Sequence, residues 1–153
     1  MDGFPPRHRH HSTGPCFEKY NAVLRGLANP NVKFFFNKYE VLCQGNAYKN
    51  TIHLINSALV KLSRLVQATR LYRGMGGMQL PQTFTEDDEY LLAGGTEFGF
   101  MSATTDKNAA LAYARMREPC IVFEIQQGMV GRGGDLSWLS QYPHVIETVI
   151  RSP

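Results

Sequence analysis

Three short segments carry the residues whose chemistry can be combined. They are Leu71-Tyr72-Arg73-Gly74, Phe100-Met101-Ser102-Ala103-Thr104 and the run Asp135 to Glu147 (DLSWLSQYPHVIE). A guanidinium fork matches phosphate oxygens two at a time. A small hydroxyl at a strand end can orient an amide or a neighbouring carboxylate, and a carboxylate on a third strand can stabilise an oxocarbenium-like centre. Lining one cleft, Arg73, Ser102 and Glu147 would suit a dinucleotide whose N-glycosidic bond is to be broken. Taken singly, each has a plainer reading. Arg73 reads as a surface arginine beside a hairpin turn, Ser102 as part of an ordinary amphipathic strand, and Glu147 as a solvent-facing strand residue. The ordered set is what gives them weight.

Positioning such groups requires strands, and the pattern supplies them late in the chain. Cys16 to Leu27 reads as a short helix ended by Gly26 and Asn29-Pro30. Val32 to Lys38, with Phe34, Phe35 and Phe36 in a row, is ambiguous between a strand and a buried turn. Tyr48 to Gln67 is the clearest helix, with Ile52, Ile55, Leu59, Leu62 and Val66 on one stripe and Lys61 and Arg64 facing solvent. Ala68 to Gly74 follows as a strand running into a turn, Gly74-Met75-Gly76-Gly77, which would let a ligand approach the backbone. Leu80 to Glu89 is an acidic loop. Thr96 to Ala103 makes a second strand, Thr105 caps a helix reaching Arg115, Cys120 to Ile125 is a buried strand, and Val145 to Ile150 is the last. Helices first and strands later favour α+β over alternating α/β.

Composition narrows the classes. The chain of 153 residues suits one domain, 16–153, behind a flexible leader, 1–15. A net charge of +3, with no basic stripe interleaved with aromatics, argues against a nucleic-acid protein and is compatible with a small anionic ligand. Cys16, Cys43 and Cys120 form no CxxC pair, so free, mostly buried thiols are expected. The cluster Arg7-His8-Arg9-His10-His11 invites a metal reading, but its composition favours a solvated leader. The leader has no apolar core of a Sec signal, and no run approaches the ~18 residues of a membrane span. The compartment stays open, cytoplasmic or reached by a non-Sec route. A monomer is the default.

Taken together the segments resemble the arginine–serine–glutamate branch of mono-ADP-ribosyltransferases, the group that includes clostridial binary toxins. The resemblance runs from about Phe17 to the C-terminus. It is carried by Tyr20-Asn21-Ala22-Val23-Leu24-Arg25-Gly26, Thr51-Ile52-His53-Leu54-Ile55-Asn56-Ser57, Leu71-Tyr72-Arg73-Gly74, Phe100-Met101-Ser102 and Leu139-Ser140-Gln141-Tyr142-Pro143. It implies two packed, roughly perpendicular β-sheets around an NAD cleft, flanked by N-terminal helices. It further implies NAD as co-substrate with no metal, and transfer of ADP-ribose to a macromolecular acceptor, a protein before a nucleic acid. Arg73 would bind a phosphate, the Gly74 backbone the carboxamide, Ser102 would position Glu147, and Glu147 would hold the ribose 2′-hydroxyl. Phe100 would stack near the nicotinamide, and Arg117 (or Arg115) would add a phosphate contact. Trp138, Tyr142 and position 145 would face the acceptor.

Two departures from the family pattern bear on the acceptor. Arginine-modifying members carry Glu-x-Glu; here the first position is Val145, which can neither take a proton nor pair with an arginine. Ala103 stands where the serine element has threonine. Arginine transfer is therefore disfavoured, and three other readings stay open: NAD glycohydrolysis, transfer to another acceptor, and a degenerate module that binds NAD or a protein without catalysis.

Overall fold

The computed structural model describes residues 15–87, 89–128, 131–138 and 148–150. The leader and residues 139–147 lie outside them, and with them the expectations placed on residues 1–14, Tyr142, Val145 and Glu147. The architecture is α+β. Three helices come first: α1 (Pro15–Ala28), α2 (Lys33–Cys43) and α3 (Lys49–Ser63). Then follow β1 (Arg70–Gly76), β2 (Met101–Ala103), α4 (Lys107–Ala114), β3 (Cys120–Gln126), β4 (Gly134–Asp135) and β5 (Thr148–Ile150).

The described strands form two antiparallel sheets. β1 pairs with β3, Arg73 opposite Phe123. The second sheet has the order β2-β5-β4, with Ser102 opposite Val149 and Ala103 opposite Thr148. Tyr72 and Thr104 join the sheets by exchanging both backbone hydrogen bonds, at 2.7 and 2.9 Å. That bridge sets β1 beside the end of β2, and so Arg73 beside Ser102.

The helical layer covers the second sheet. Ala22 and Val23 of α1, Tyr39 and Cys43 of α2, and Ile52 and Leu59 of α3 bury against Phe100 and Val149. In α1 the stripe Phe17, Tyr20, Asn21 and Leu24 follows the i, i+3, i+4, i+7 spacing of a buried helical face. A second, smaller core holds Leu71 and Ala103, with Met101 and Ile125 against them. None of the helices among the described residues is long and apolar enough to cross a membrane.

Several expectations change. The triple-phenylalanine segment is neither strand nor turn but the first turn of α2, because Tyr39 and Cys43, one helical turn apart, anchor it. Gly26 does not end α1. It lies inside the helix, where an added Cβ would come within 2.8 Å of the Tyr39 Cβ, so its role is close packing against α2. Helix α3 stops at Ser63, short of Val66. Asp106, not Thr105, caps α4, its carboxylate accepting from the Asn108 N–H at 2.8 Å. Strand β3 is only partly buried, with Cys120, Glu124 and Gln126 exposed. Of the thiols, Cys43 is buried, whereas Cys16 and Cys120 are exposed.

Candidate functional site

A cleft of about 640 Å³ opens between α1, α2, β1, the end of β2 and α4. That volume lies within the range of small-molecule sites, roughly 300–1,000 Å³. Arg73, Gly74 and Ser102 all line it. The structure thus brings together three of the residues singled out in the sequence, from two strands 29 positions apart at their hydrogen bond.

Arg73 Nη1 donates to the Ser102 carbonyl oxygen at 2.6 Å. This uses one of the five guanidinium N–H donors. The side chain is part-buried, and desolvation pulls its pKa down. Glu97 opposes that shift, Arg25 adds to it, and Tyr113 opposes it. A guanidinium stays protonated under such a pull, so the cleft holds a poorly solvated positive charge. Such a charge attracts an anion more strongly than one in bulk water.

Glu97 lies in the segment entering β2. Its two oxygens take a bidentate pair from Arg25 of α1, Nε at 2.7 Å and Nη2 at 2.8 Å. Its Oε1 also accepts the Gly99 N–H at 2.7 Å. Burial raises its pKa, but the hydrogen bonds from Arg25 and Gly99 and the charges of Arg25 and Arg73 outweigh that, and the net shift is downward. One turn before Arg25, the buried Asn21 side chain pairs with both backbone groups of Phe100. Its Oδ1 accepts the N–H at 2.7 Å and its Nδ2 donates to the carbonyl at 3.1 Å. Asn21 thereby does for Phe100 what a neighbouring strand would do.

Gly74 and Gly76 lie within β1, not in a turn. Packing against α4 gives Gly74 a reason beyond ligand approach. An added Cβ at Gly74 would overlap the Ala110 carbonyl oxygen, and one at Gly76 would come within 2.6 Å of the Ala114 carbonyl oxygen. Helix α4 presses its small face, with Ala110 and Ala114 buried, onto this strand. A glycine strand against an alanine helix narrows that wall of the cleft.

Phe100 is 2 % exposed and packs beside Phe17 in the core; it is not among the residues lining the cleft. Aromatic walls come instead from Phe17, Phe34, Phe35, Tyr72 and Tyr113. The Lys107 ammonium lies 5.8 Å from the Tyr72 ring centroid. Arg117 is not in the lining either. Its backbone carbonyl accepts the Gly77 N–H and its side chain lies near Gly77. Trp138 is 69 % exposed, beyond β4. Glu147, Val145 and Tyr142 are outside the described residues. Thr148, the residue after Glu147 in the chain, pairs with Ala103, the residue after Ser102.

Sequence reasoning assigned no role to Asn21, Arg25 or Glu97. The available signal was the polar pair Asn21 and Arg25, spaced i, i+4, which puts both on one face of the helix. No family model, curated protein or solved structure matches this chain.

Proposed function

We propose that this chain is an NAD-dependent mono-ADP-ribosyltransferase with the ADP-ribosyltransferase fold. One observation carries the reading: Arg73, Gly74 and Ser102, singled out by type and order, line a single cleft in which the Arg73 guanidinium donates to the Ser102 carbonyl. The cleft fits the ligand in size, in its aromatic walls and in its part-buried cation. Bound NAD would supply the glycosidic bond whose rupture releases neutral nicotinamide.

In this reading Arg73 holds a phosphate and draws the negative part of the ligand to the floor of the cleft. The Gly74 backbone holds the carboxamide. Ser102 orients the carboxylate of Glu147, and Glu147 accepts a hydrogen bond from the ribose 2′-hydroxyl and stabilises the positive charge that develops on the sugar. The loop carrying Trp138 and Tyr142 presents the acceptor, and the protein acts as a monomer. Val145 favours a second reading, NAD glycohydrolysis, because valine offers an incoming arginine neither a base nor a charge partner.

The test follows labelled NAD with and without a cell lysate, scoring nicotinamide release and label on macromolecules. Release with labelled protein is expected of a transferase. Release with free ADP-ribose alone selects the glycohydrolase. Glu147→Gln is expected to lower release by about a hundredfold or more while leaving NAD binding in place. Full turnover in that variant, or no release by the parent protein, overturns the assignment.

A further inference from the structure

The cations lining the cleft are not equivalent. Lys38 is paired with Glu18 at 2.9 Å, and Arg25 is held by both oxygens of Glu97. Arg73 meets an uncharged carbonyl and, among the described residues, no carboxylate within ion-pair distance. Arg25 and Arg73 nevertheless share one field, since Arg25 pulls the Arg73 pKa down and Glu97 pulls it up. One anionic group on a ligand is enough to engage Arg73. A second would find the fork of Arg25 already filled.

We propose that Glu97 is a built-in competitor for the second anion of the ligand, so that the cleft selects diphosphates by requiring them to displace a carboxylate from Arg25. Three features support this. The pair has the geometry in which a carboxylate and a phosphate are interchangeable partners of a guanidinium. It is open to solvent, the Arg25 and Glu97 side chains being 28 % and 34 % exposed, so exchange needs no unfolding. And Glu97 has a second partner, the Gly99 N–H, to stay with when Arg25 turns away. A monophosphate satisfies Arg73 and leaves the pair closed. A diphosphate has the further charge that opens it. The inference rests on the reading of the cleft as a dinucleotide site but is tested without NAD.

The experiment is calorimetric titration of the full chain with inorganic pyrophosphate and with orthophosphate. Glu97→Gln is expected to tighten pyrophosphate about tenfold, the gain when a competing closed state is removed, and to change orthophosphate much less. Adding Arg25→Gln to that variant should abolish the gain. Should Glu97→Gln fold poorly, the parent protein decides: the Arg25 Nε–H resonance moves on saturation with pyrophosphate and stays put with orthophosphate. Pyrophosphate binding that is unchanged or weaker in a folded Glu97→Gln protein overturns the proposal, as does an Arg25 resonance that pyrophosphate leaves unmoved. Loss of the transferase reading with the pyrophosphate gain intact leaves this inference standing. Nicotinamide release without that gain removes this inference alone.

Discussion

On one side of the cleft α4 lies against β1, with Gly74 and Gly76 facing the carbonyls of Ala110 and Ala114. On the other side α1 meets the segment entering β2 through the Asn21–Phe100 hydrogen bonds and the Arg25–Glu97 pair. The first wall is held by missing side chains and the second by polar ones. A steric wall has no alternative state to move to, because a close-packed contact either fits or forces the backbone apart. A polar wall can exchange partners with water or with a ligand. The arrangement therefore gives the cleft one rigid side and one that can answer its occupant.

The same substitution on each side should separate the two. At Gly74 an alanine methyl would overlap helix backbone, so α4 must shift away from β1. Overpacking of this kind costs roughly 1–3 kcal/mol, at times more, and this site belongs at the upper end because backbone cannot rotate aside. At Gly99 the atoms in the way are Asn21 Oδ1 at 2.9 Å, Glu97 Oε1 at 3.0 Å and Arg25 Nε at 3.1 Å, all ends of side chains. Denaturant titration should therefore show Gly74→Ala as the more damaging change and Gly99→Ala as the milder one. Equal losses would mean that the polar wall is as stiff as the steric one.

Comparable in size is Asn21→Ala. It would strip partners from both the N–H and the carbonyl of Phe100, a residue 2 % exposed. Each buried group left unpaired costs about 1–3 kcal/mol, and the freed volume admits water to offset part of it. A loss of about 2–4 kcal/mol in unfolding free energy is expected, with the β2 amides exchanging faster than those of β3. A loss below that range and uniform exchange would show that α1 is not the partner that fixes β2.

How far the sequence disclosed this arrangement depends on the kind of force involved. The α3 stripe was legible because apolar periodicity is local, and Ile52 and Leu59 are buried as it requires. Arg73 and Ser102 were legible as a pair by residue type and order, and the Tyr72–Thr104 bridge supplies the geometry that the order implied. The run Phe34-Phe35-Phe36 misled because three aromatics have no period of their own; the anchors, Tyr39 and Cys43, come later. Phe100 misled because strand alternation does not say which face is the core. The reason for Gly74 was hidden too, since a glycine required by a helix 36 positions away looks like any glycine beside a binding loop. Glu97 looks from its neighbours like one residue of the strand over Thr96 to Ala103, yet β2 begins only at Met101 and the partner of Glu97 lies 72 positions earlier. Contacts across such separations are set by tertiary packing and leave no local trace.

The smallest expected effect is on acid stability, and it tests whether the polar wall is electrostatic at all. Burial works to raise the Glu97 pKa, while the hydrogen bonds from Arg25 and Gly99 and the two nearby guanidinium charges lower it, and lowering wins. A carboxyl whose folded pKa lies below its unfolded one stabilises the fold above the unfolded value. That contribution is lost as pH falls through the folded pKa. Glu97 thus favours the fold at neutral pH and ceases to do so below the ordinary carboxylate range. Since the side chain is 34 % exposed, solvent screening limits the contribution to about 1 kcal/mol or less. Thermal unfolding of the parent protein and of Glu97→Gln, compared from neutral pH into the acid range, should give curves that differ at neutral pH and converge as the carboxyl protonates. Raising the salt concentration should shrink the neutral-pH difference as well. A difference that survives both acid and salt would mean that Glu97 holds the segment by shape and hydrogen bonding to Gly99, and that its charge is free to respond to a ligand without changing the fold.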